Sequence, residues 1–304
     1  MSGLSRRVKA LAISCAAAAL MCSASAQPSN AWAAADMQSE RLVYNIMVGG
    51  LHIGNTMIGM NQTPAGYSTE LKVTAGGVAK WVRDFRSEMK GEGRFGAGAT
   101  KPVPAVYSRQ WSNGEVAGDL TLTFDASTGE AAVRERYFNP ETDKDIAYDQ
   151  LPWNDPGENP RPLPPANMRT DVLDPMAAFI AARGQLMAQG LAGAKPRAFR
   201  VPIYDGQRRY DIVGRAEAAR SVEIGGAQRS VIPVIAKLEP IYGFGRKSQE
   251  RMQESEGTFL FSNDERFIPL QLVVSNELLS GVMNLTADCR ANPAPCDTFG
   301  QKTE

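Results

Sequence analysis

Short stretches in which apolar and polar residues alternate fill most of this 304-residue chain. In one of them, Leu120, Leu122 and Phe124 alternate with polar residues, so their side chains share one face of a strand. Tyr67–Thr74 has the same pattern, and turn residues such as Asn113-Gly114 separate the stretches. The sequence therefore predicts an all-β fold, either a large, strongly curved antiparallel sheet or a barrel-like sheet.

One segment, at about residues 174–190, predicts the main α-helix of the chain. Asp174 is a good N-cap, Pro175 suits the first helical position, and Gly190 can end the helix. Four apolar side chains between them share one side at helical spacing: Met176, Phe179, Ile180 and Met187. We expect this side to pack into the core, or alternatively to line an apolar groove.

The segment Val201–Gly214 follows the predicted helix and indicates a hairpin, because two short apolar runs flank Asp205-Gly206. Its polar residues form a dense cluster: Asp205, Arg208, Arg209 and Asp211. Two guanidinium groups can bind an anionic ligand or a partner, so the cluster is a candidate contact site. The alternative is that the aspartate serves the turn and that the arginines are solvated.

Leu151–Met168 interrupts the β pattern with six prolines. Proline removes a backbone donor and fixes φ, so this density excludes both a helix and a central strand. Since the β pattern is the same on both sides, we predict a surface loop at 151–168 within a single β-rich domain of residues 36–288. A linker between two domains and a proline-rich ligand for a partner are the alternatives.

Residues 1–26 have the features of a secretory signal peptide. Three basic residues precede the apolar stretch Ala10–Met21, and Ala24-Ser25-Ala26 is a small-residue cleavage site. Cleavage as late as Ala35 also fits the alanine-rich sequence. The apolar stretch is shorter than the ~20 residues of a membrane span. We therefore expect a periplasmic protein whose mature form is not transmembrane.

Charge and cysteine content limit the partners of the mature chain. Removal of the signal leaves 30 basic and 33 acidic side chains, which argues against nucleic-acid binding. Cys289 and Cys296 are separated by six residues and predict a disulfide that ties down a tail of residues 289–304. Two thiolates and the distant His52 do not make a four-ligand metal site. The sequence predicts no oligomeric state.

Several motifs occur in an order that resembles a known family. They are Tyr44, Gly50 and Ile53-Gly54, then Pro104 and Tyr107, then Asp174-Pro175-Met176-Ala177-Ala178, Tyr204-Asp205-Gly206 and Arg208-Arg209-Tyr210, and finally Phe261, Asp264 and Ile268-Pro269. From about Leu42 to Ala287 the chain is similar to the bacterial envelope family catalogued as domain of unknown function 3108 (DUF3108). The resemblance implies an exported, β-rich protein with no established activity.

Signatures of catalysis are absent from the sequence. It contains no Gly-x-Ser-x-Gly elbow, no His-Glu-x-x-His, no phosphate loop and no dinucleotide fingerprint in a strand-helix context. The single histidine, His52, lies in a predicted turn, and Arg246-Lys247 is a second basic patch with the same alternatives as the hairpin arginines. We therefore expect no catalytic residues, no cofactor and no metal ion.

Three functions are compatible with these observations. The first is a non-catalytic periplasmic protein that contributes to cell-envelope integrity or assembly through contacts with proteins or other envelope components. The second is a lipid or lipoprotein carrier with an apolar groove, to which the face of Met176, Phe179, Ile180 and Met187 would contribute. The third is a hydrolase of cell-wall or glycan material that uses paired carboxylates.

Overall fold

The computed structural model describes residues 38–77, 84–96, 101–152, 162–190, 197–245, 249–250, 252, 255–275 and 280–300. The strands are β1 (Gln38–Val48), β2 (Leu51–Thr63), β3 (Gly66–Ala75), β4 (Arg86–Phe95), β5 (Pro102–Ser112), β6 (Ala117–Phe124), β7 (Ala131–Phe138), β8 (Arg197–Tyr204), β9 (Arg209–Ala216), β10 (Arg220–Ile224), β11 (Ala227–Tyr242), β12 (Glu256–Ser262), β13 (Pro269–Ser275) and β14 (Ser280–Asp288). The helices are α1 (Pro175–Ala188) and the short α2 (Ala294–Asp297). The predicted signal peptide and Arg246-Lys247 lie outside the described residues, as does part of the proline-rich loop.

Antiparallel pairing joins these strands into one sheet, in the order β7-β6-β5-β4-β3-β2-β1-β14-β13-β12-β11-β9-β8, with β10 paired to β11 alone. Most neighbours are consecutive in sequence, and two-residue turns connect β1 to β2, β2 to β3 and β10 to β11. The pairing of β1 with β14 places the beginning and the end of the sheet side by side. The edges of the sheet are therefore β7 and β8, which flank α1 in sequence. None of the helices in the described part of the chain is long and apolar enough to cross a membrane.

The segment before α1 connects the two edge strands. The Ala131 N–H of β7 donates to the Arg169 carbonyl at 2.9 Å. Four residues later, the Leu173 N–H donates to the Pro202 carbonyl of β8, and the Tyr204 N–H donates to the Leu173 carbonyl, both at 2.9 Å. Because one short segment bonds to both edges, the sheet is a nearly closed barrel. This confirms the predicted barrel-like all-β fold.

Helix α1 lies inside this barrel, since its side chains contact strands on different sides. Met176 packs with the inner side chains of β5 and β6, and Phe179 stacks on Phe261 of β12 with ring centroids 6.5 Å apart. Arg183 reaches Glu40 of β1. As predicted, Asp174 is the N-cap, and one of its carboxylate oxygens accepts the N–H groups of the first turn at 2.8 and 3.0 Å.

Burial extends around most of α1 rather than along a single stripe. The buried residues are Met176, Ala177, Ala178, Ile180, Ala181, Arg183, Gly184 and Leu186. Phe179 and Met187 of the predicted apolar face are partly buried and pack against the same core. Alanine has a small side chain and glycine has none, so strands can approach the other sides of the helix. The apolar side predicted from the sequence therefore accounts for only part of the contacts of α1.

The C-terminal tail packs on the outside of the sheet. The predicted disulfide between Cys289 and Cys296 is confirmed, with Cα atoms 6.2 Å apart. Met57 points outward from β2 yet is only 2% exposed, because both cysteines and Phe299 cover it. An ion pair from Arg41 to Asp297 at 2.7 Å borders this small cluster. The tail therefore covers an apolar patch of the outer face.

Candidate functional site

The two ends of the barrel differ in how well their inward-facing side chains are covered. On β1, Leu42 and Tyr44 are fully buried, whereas Ile46 and Val48, further along the same face, are partly exposed. On β9, Ala216 is buried and Ile212 is partly exposed. We call the well-covered end, which contains Glu40 and the β2–β3 turn, the filled end. The end with the β1–β2 turn and the β8–β9 hairpin is the open end.

The same trend recurs on several other strands, whereas Leu120 of β6 and Ile203 and Tyr204 of β8 remain buried toward the open end. The inward-facing apolar side chains that keep part of their surface exposed include Ile46, Leu71, Val73, Met89, Ile212, Leu238, Phe259, Leu270, Leu272, Met283 and Leu285, while Phe95 and Val133 are partly exposed nearer the filled end. Pairing joins many of them into continuous rows, such as Phe259, Leu272 and Met283 across β12, β13 and β14. An inward-facing side chain is exposed to the lumen and not to the outer surface. The inward-facing apolar side chains toward the open end are therefore less well covered than those at the filled end, and we call this set of residues the apolar cup.

Exposed apolar residues continue from the apolar cup onto its rim. Four of the large apolar side chains that are exposed in the described part of the chain lie at the open end: Leu51 (58%), Phe85 (39%), Ile241 (43%) and Val274 (39%). A fifth, Leu163, belongs to the proline-rich loop. Scattered exposed apolar residues need no explanation, but a group around the mouth of an apolar concavity is typical of a binding surface.

A small polar group faces the lumen beside the apolar cup. Arg109 of β5 lies in a row between Met89 and Leu120, and its guanidinium is 4.0 Å from the Glu135 carboxylate. The Tyr137 hydroxyl donates to that carboxylate at 2.7 Å. The side-chain amide of Gln207 also donates to Glu135, at 2.6 Å. Polar groups at one side of an apolar pocket can orient an amphiphilic ligand.

The predicted polar cluster of the hairpin is divided between different roles. Asp205 accepts the N–H groups of Gln207 and Arg208 at 3.0 and 2.7 Å, which stabilises the turn. Arg208 is exposed, and its guanidinium lies 5.4 Å from the centroid of the Phe244 ring. Arg209 and Asp211 form an ion pair at 2.5 Å on the outer face. The four side chains therefore do not converge on a single ligand position.

The outer ion pair extends beyond the cluster that the sequence indicated. Arg200 of β8 also contacts Asp211, at 2.5 Å, and reaches Glu239 of β11 at 2.6 Å. Because Tyr210 packs against the interior, Arg209 and Asp211 on either side of it point outward. Asp211 thus has two cationic partners on the surface, and Arg209 has an anionic one.

The turn of the hairpin contributes to barrel closure. Gly206 has a φ of +99°, and a Cβ at this position would lie 2.5 Å from Leu120 of β6. The Tyr204 hydroxyl donates to the Gly206 carbonyl at 2.8 Å. Gln207 bonds to Glu135 of β7, as described above. The Asp-Gly turn is therefore required both for its backbone conformation and for close contact across the gap between the sheet edges.

A buried ionic network at the filled end was missed by the sequence analysis. Arg183 of α1 donates two hydrogen bonds to the two carboxylate oxygens of Glu40, each at 3.1 Å, and both side chains are almost fully buried. Arg183 also donates to the Arg266 carbonyl. Arg266 in turn pairs with Asp288 at the end of β14. The one available signal was Arg183 itself, a cation that interrupts an otherwise apolar helix.

Two further buried polar groups lie near the start of α1. Burial raises the pKa of the Asp174 carboxyl to about 6, although the hydrogen bonds from the helix N-terminus oppose this shift. Burial also raises the pKa of the Tyr67 hydroxyl, and the Asp174 charge adds to that increase. Both side chains pack closely against glycines of β4: a Cβ at Gly91 or Gly93 would lie 3.2 Å from Asp174 or 2.7 Å from Tyr67. These groups are part of the packed interior.

Fold and site together define a class of protein, a barrel-like antiparallel β protein with a helix in its lumen and an apolar cup at one end. The chain belongs to the DUF3108 family of proteins of unknown function, whose model matches residues 43–286. This confirms the resemblance seen in the sequence.

Comparison with solved structures finds a similar overall arrangement in a β-barrel-like protein of domain of unknown function DUF1849 from Brucella abortus. The two chains share 10% sequence identity with a TM-score of 0.48, and the match covers 82% of this chain and 96% of the other. No curated protein matches the chain.

Proposed function

We propose that the protein is a non-catalytic binding protein of the bacterial cell envelope, which holds the hydrocarbon part of a lipid or lipoprotein in the apolar cup. The observation that supports this proposal is the rise in exposure of inward-facing apolar side chains from the filled end to the open end. A purely structural barrel of this size would bury these side chains against one another, because exposed apolar surface lowers stability.

The chemistry of the apolar cup suits a flexible chain. Burial of apolar surface contributes about 0.8 kcal/mol per methylene group, so a short segment of an acyl chain suffices for measurable affinity. Met89 lies on β4 and Met283 on β14, and unbranched methionine side chains adapt to ligands of different shape. Helix α1 forms the floor rather than a lid, because it packs at the filled end.

A second candidate function is favoured by the exposed rim. Leu51, Phe85, Ile241 and Val274 could form a contact surface for another envelope component, through which the protein contributes to envelope integrity or assembly. The two functions are related, since a rim that contacts a lipid surface or a lipoprotein would also place the apolar cup next to its ligand.

Native mass spectrometry of the full-length protein purified from the envelope fraction tests the first function. We expect a bound species with the mass of a lipid, and we expect an uncharged fluorescent acyl probe to compete with it. Leu272→Asn places an amide in the wall of the apolar cup and should weaken probe binding about tenfold. Val273→Asn is the matched control, because Val273 is the next residue of β13 and points outward.

Comparison of Leu272→Asn with Val273→Asn tests whether the apolar cup is the binding site. A loss of probe binding in Leu272→Asn alone supports the apolar cup as the binding site. Equal binding by both variants and the native protein, with no retained lipid, would refute the first function and leave contact through the rim as the remaining proposal.

A further inference from the structure

Arg109 is a cation in an inward-facing row of the barrel wall that is otherwise apolar from Leu71 to Leu120 and that ends at Glu135. Strand pairing places it in an inward-facing row that begins with Leu71 and Met89 of the apolar cup and continues to Leu120. Its neighbour on the same face of β5, Tyr107, is fully buried. The Arg109 side chain is 25% exposed. Because Arg109 faces inward, this exposed part lies toward the lumen. Its charge is therefore available at the edge of the apolar cup.

The partners of Arg109 leave much of its bonding capacity unused. A guanidinium carries five N–H donors. Within the described part of the chain, its one ion pair is the 4.0 Å approach to Glu135, which is at the limit for such a contact. The Nε atom of Arg109 is buried and has no hydrogen-bond acceptor among the described residues. A buried N–H group without an acceptor is costly, so an acceptor that arrives with a ligand would be favoured.

Glu135 does not fill this role, because its oxygen nearest to Arg109 is held by other donors. Tyr137 and Gln207 both bond to the same Glu135 oxygen, at 2.7 and 2.6 Å. Gln207 belongs to the hairpin that closes the barrel, so these bonds fix Glu135 at the seam between the sheet edges. The Asp205 carboxylate is likewise engaged in the turn of this hairpin. The anions near Arg109 are thus committed to structural contacts.

We propose that Arg109 binds the anionic head of an amphiphile whose hydrocarbon chain occupies the apolar cup. This inference rests on the proposed lipid-binding function and specifies the class of ligand. The guanidinium can form a bidentate pair with a carboxylate or with a phosphate. The ligand chemistry is therefore an acyl chain with a single anionic group, from either a fatty acid or a phospholipid with one chain.

Three dansyl-labelled probes of the same chain length test this assignment on the full-length protein. They end in a carboxylate, in a phosphate and in an uncharged methyl ester. We expect the native protein to bind at least one anionic probe about tenfold more tightly than the ester. Comparison of the two anionic probes shows whether a carboxylate or a phosphate is the preferred head group.

Variants of Arg109 assign the preference to this residue. Arg109→Met keeps an apolar side chain of similar length and should abolish the preference for the anionic probe without weakening ester binding. Arg109→Lys should keep most of the preference, because the charge remains. Arg134→Met is the matched control, since Arg134 is exposed on the outer face of β7.

The results separate the failure of this inference from the failure of the proposed function. If the native protein binds the ester and the anionic probes equally, the apolar cup stands and the role of Arg109 is refuted. If the native protein binds none of the probes, both proposals fail. If Arg109→Met does not fold, the inference is still tested by two measurements. They are the preference of the native protein for an anionic probe over the ester, and whether Arg109→Lys keeps that preference.

Discussion

The filled end and the open end of the barrel use polar residues in opposite ways. At the filled end, the charged groups of Arg183 and Glu40 are almost fully buried and are joined by two hydrogen bonds, although Arg183 Nε, like Arg109 Nε, has no acceptor among the described residues. At the open end, Arg109 lies against apolar side chains and has one distant ionic partner. The apolar residues follow the same division, because they are covered by α1 at one end and partly exposed at the other.

This difference indicates that the filled end mainly stabilises the barrel and that the open end mainly binds the ligand. Residues that anchor α1 at the filled end fix the shape of the lumen, and substitutions there should lower the free energy of unfolding. Residues of the open end contribute less to the packed core, so substitutions there should change ligand binding with a small effect on stability.

The largest effect is expected for Arg183→Met. This substitution leaves the buried Glu40 carboxylate without its partner, which should lower the free energy of unfolding by about 3–5 kcal/mol. Urea denaturation followed by circular dichroism measures the change. Addition of Glu40→Leu to the same protein removes the unpaired charge and should recover most of the loss. An unchanged denaturation midpoint in Arg183→Met would contradict the role assigned to this pair.

A pH-dependent effect is expected for Asp174→Asn. Burial raises the pKa of Asp174 in the folded protein to about 6, from an ordinary value of 3.8. The folded state therefore favours the protonated acid, so this contribution to stability is complete below about pH 4 and is lost as the pH rises through 6. The shift corresponds to roughly 3 kcal/mol. Asparagine is also a good N-cap and does not titrate.

Urea denaturation at several pH values between 4 and 8 checks this prediction. The stability of Asp174→Asn relative to the native protein should rise with pH over this range and then level off. A constant difference at all pH values would show that Asp174 titrates as an ordinary carboxyl and that the filled end tolerates its charge.

Much of the fold could be predicted from the sequence because the signals are local. Alternation in stretches such as Tyr67–Thr74 reports which face of a strand is buried, and Asp174-Pro175 marks a helix start through contacts within a few residues. These features depend on neighbours in the sequence. They gave the fold class and the helix correctly, and they also gave the disulfide between Cys289 and Cys296.

The sites were harder to predict because they depend on long-range register. Arg183 and Glu40 are 143 residues apart, and nothing near Glu40 distinguishes it from a surface residue. The hairpin cluster was misleading for the opposite reason: Arg209 and Asp211 are close in sequence, but strand alternation turns them outward. Arg109 is an intermediate case. It lies between Tyr107 and Trp111 at alternating positions, a pattern that indicates an inward-facing cation once the strand has been recognised.

The smallest effect is expected for Arg208→Gln, in the cluster that the sequence alone made most prominent. Arg208 is exposed, and the described residues offer it the face of Phe244 as its charge-related contact, so its removal should change the free energy of unfolding by no more than about 0.5 kcal/mol. Arg209→Gln is the comparison, because its partly buried ion pair with Asp211 should make it more costly. Urea denaturation and binding of the anionic probe are measured for both. If Arg208→Gln weakens probe binding as much as Arg109→Met does, the anionic head lies at the rim. In that case the β8–β9 hairpin belongs to the ligand-binding site, and the open end as a whole does not separate binding from stability.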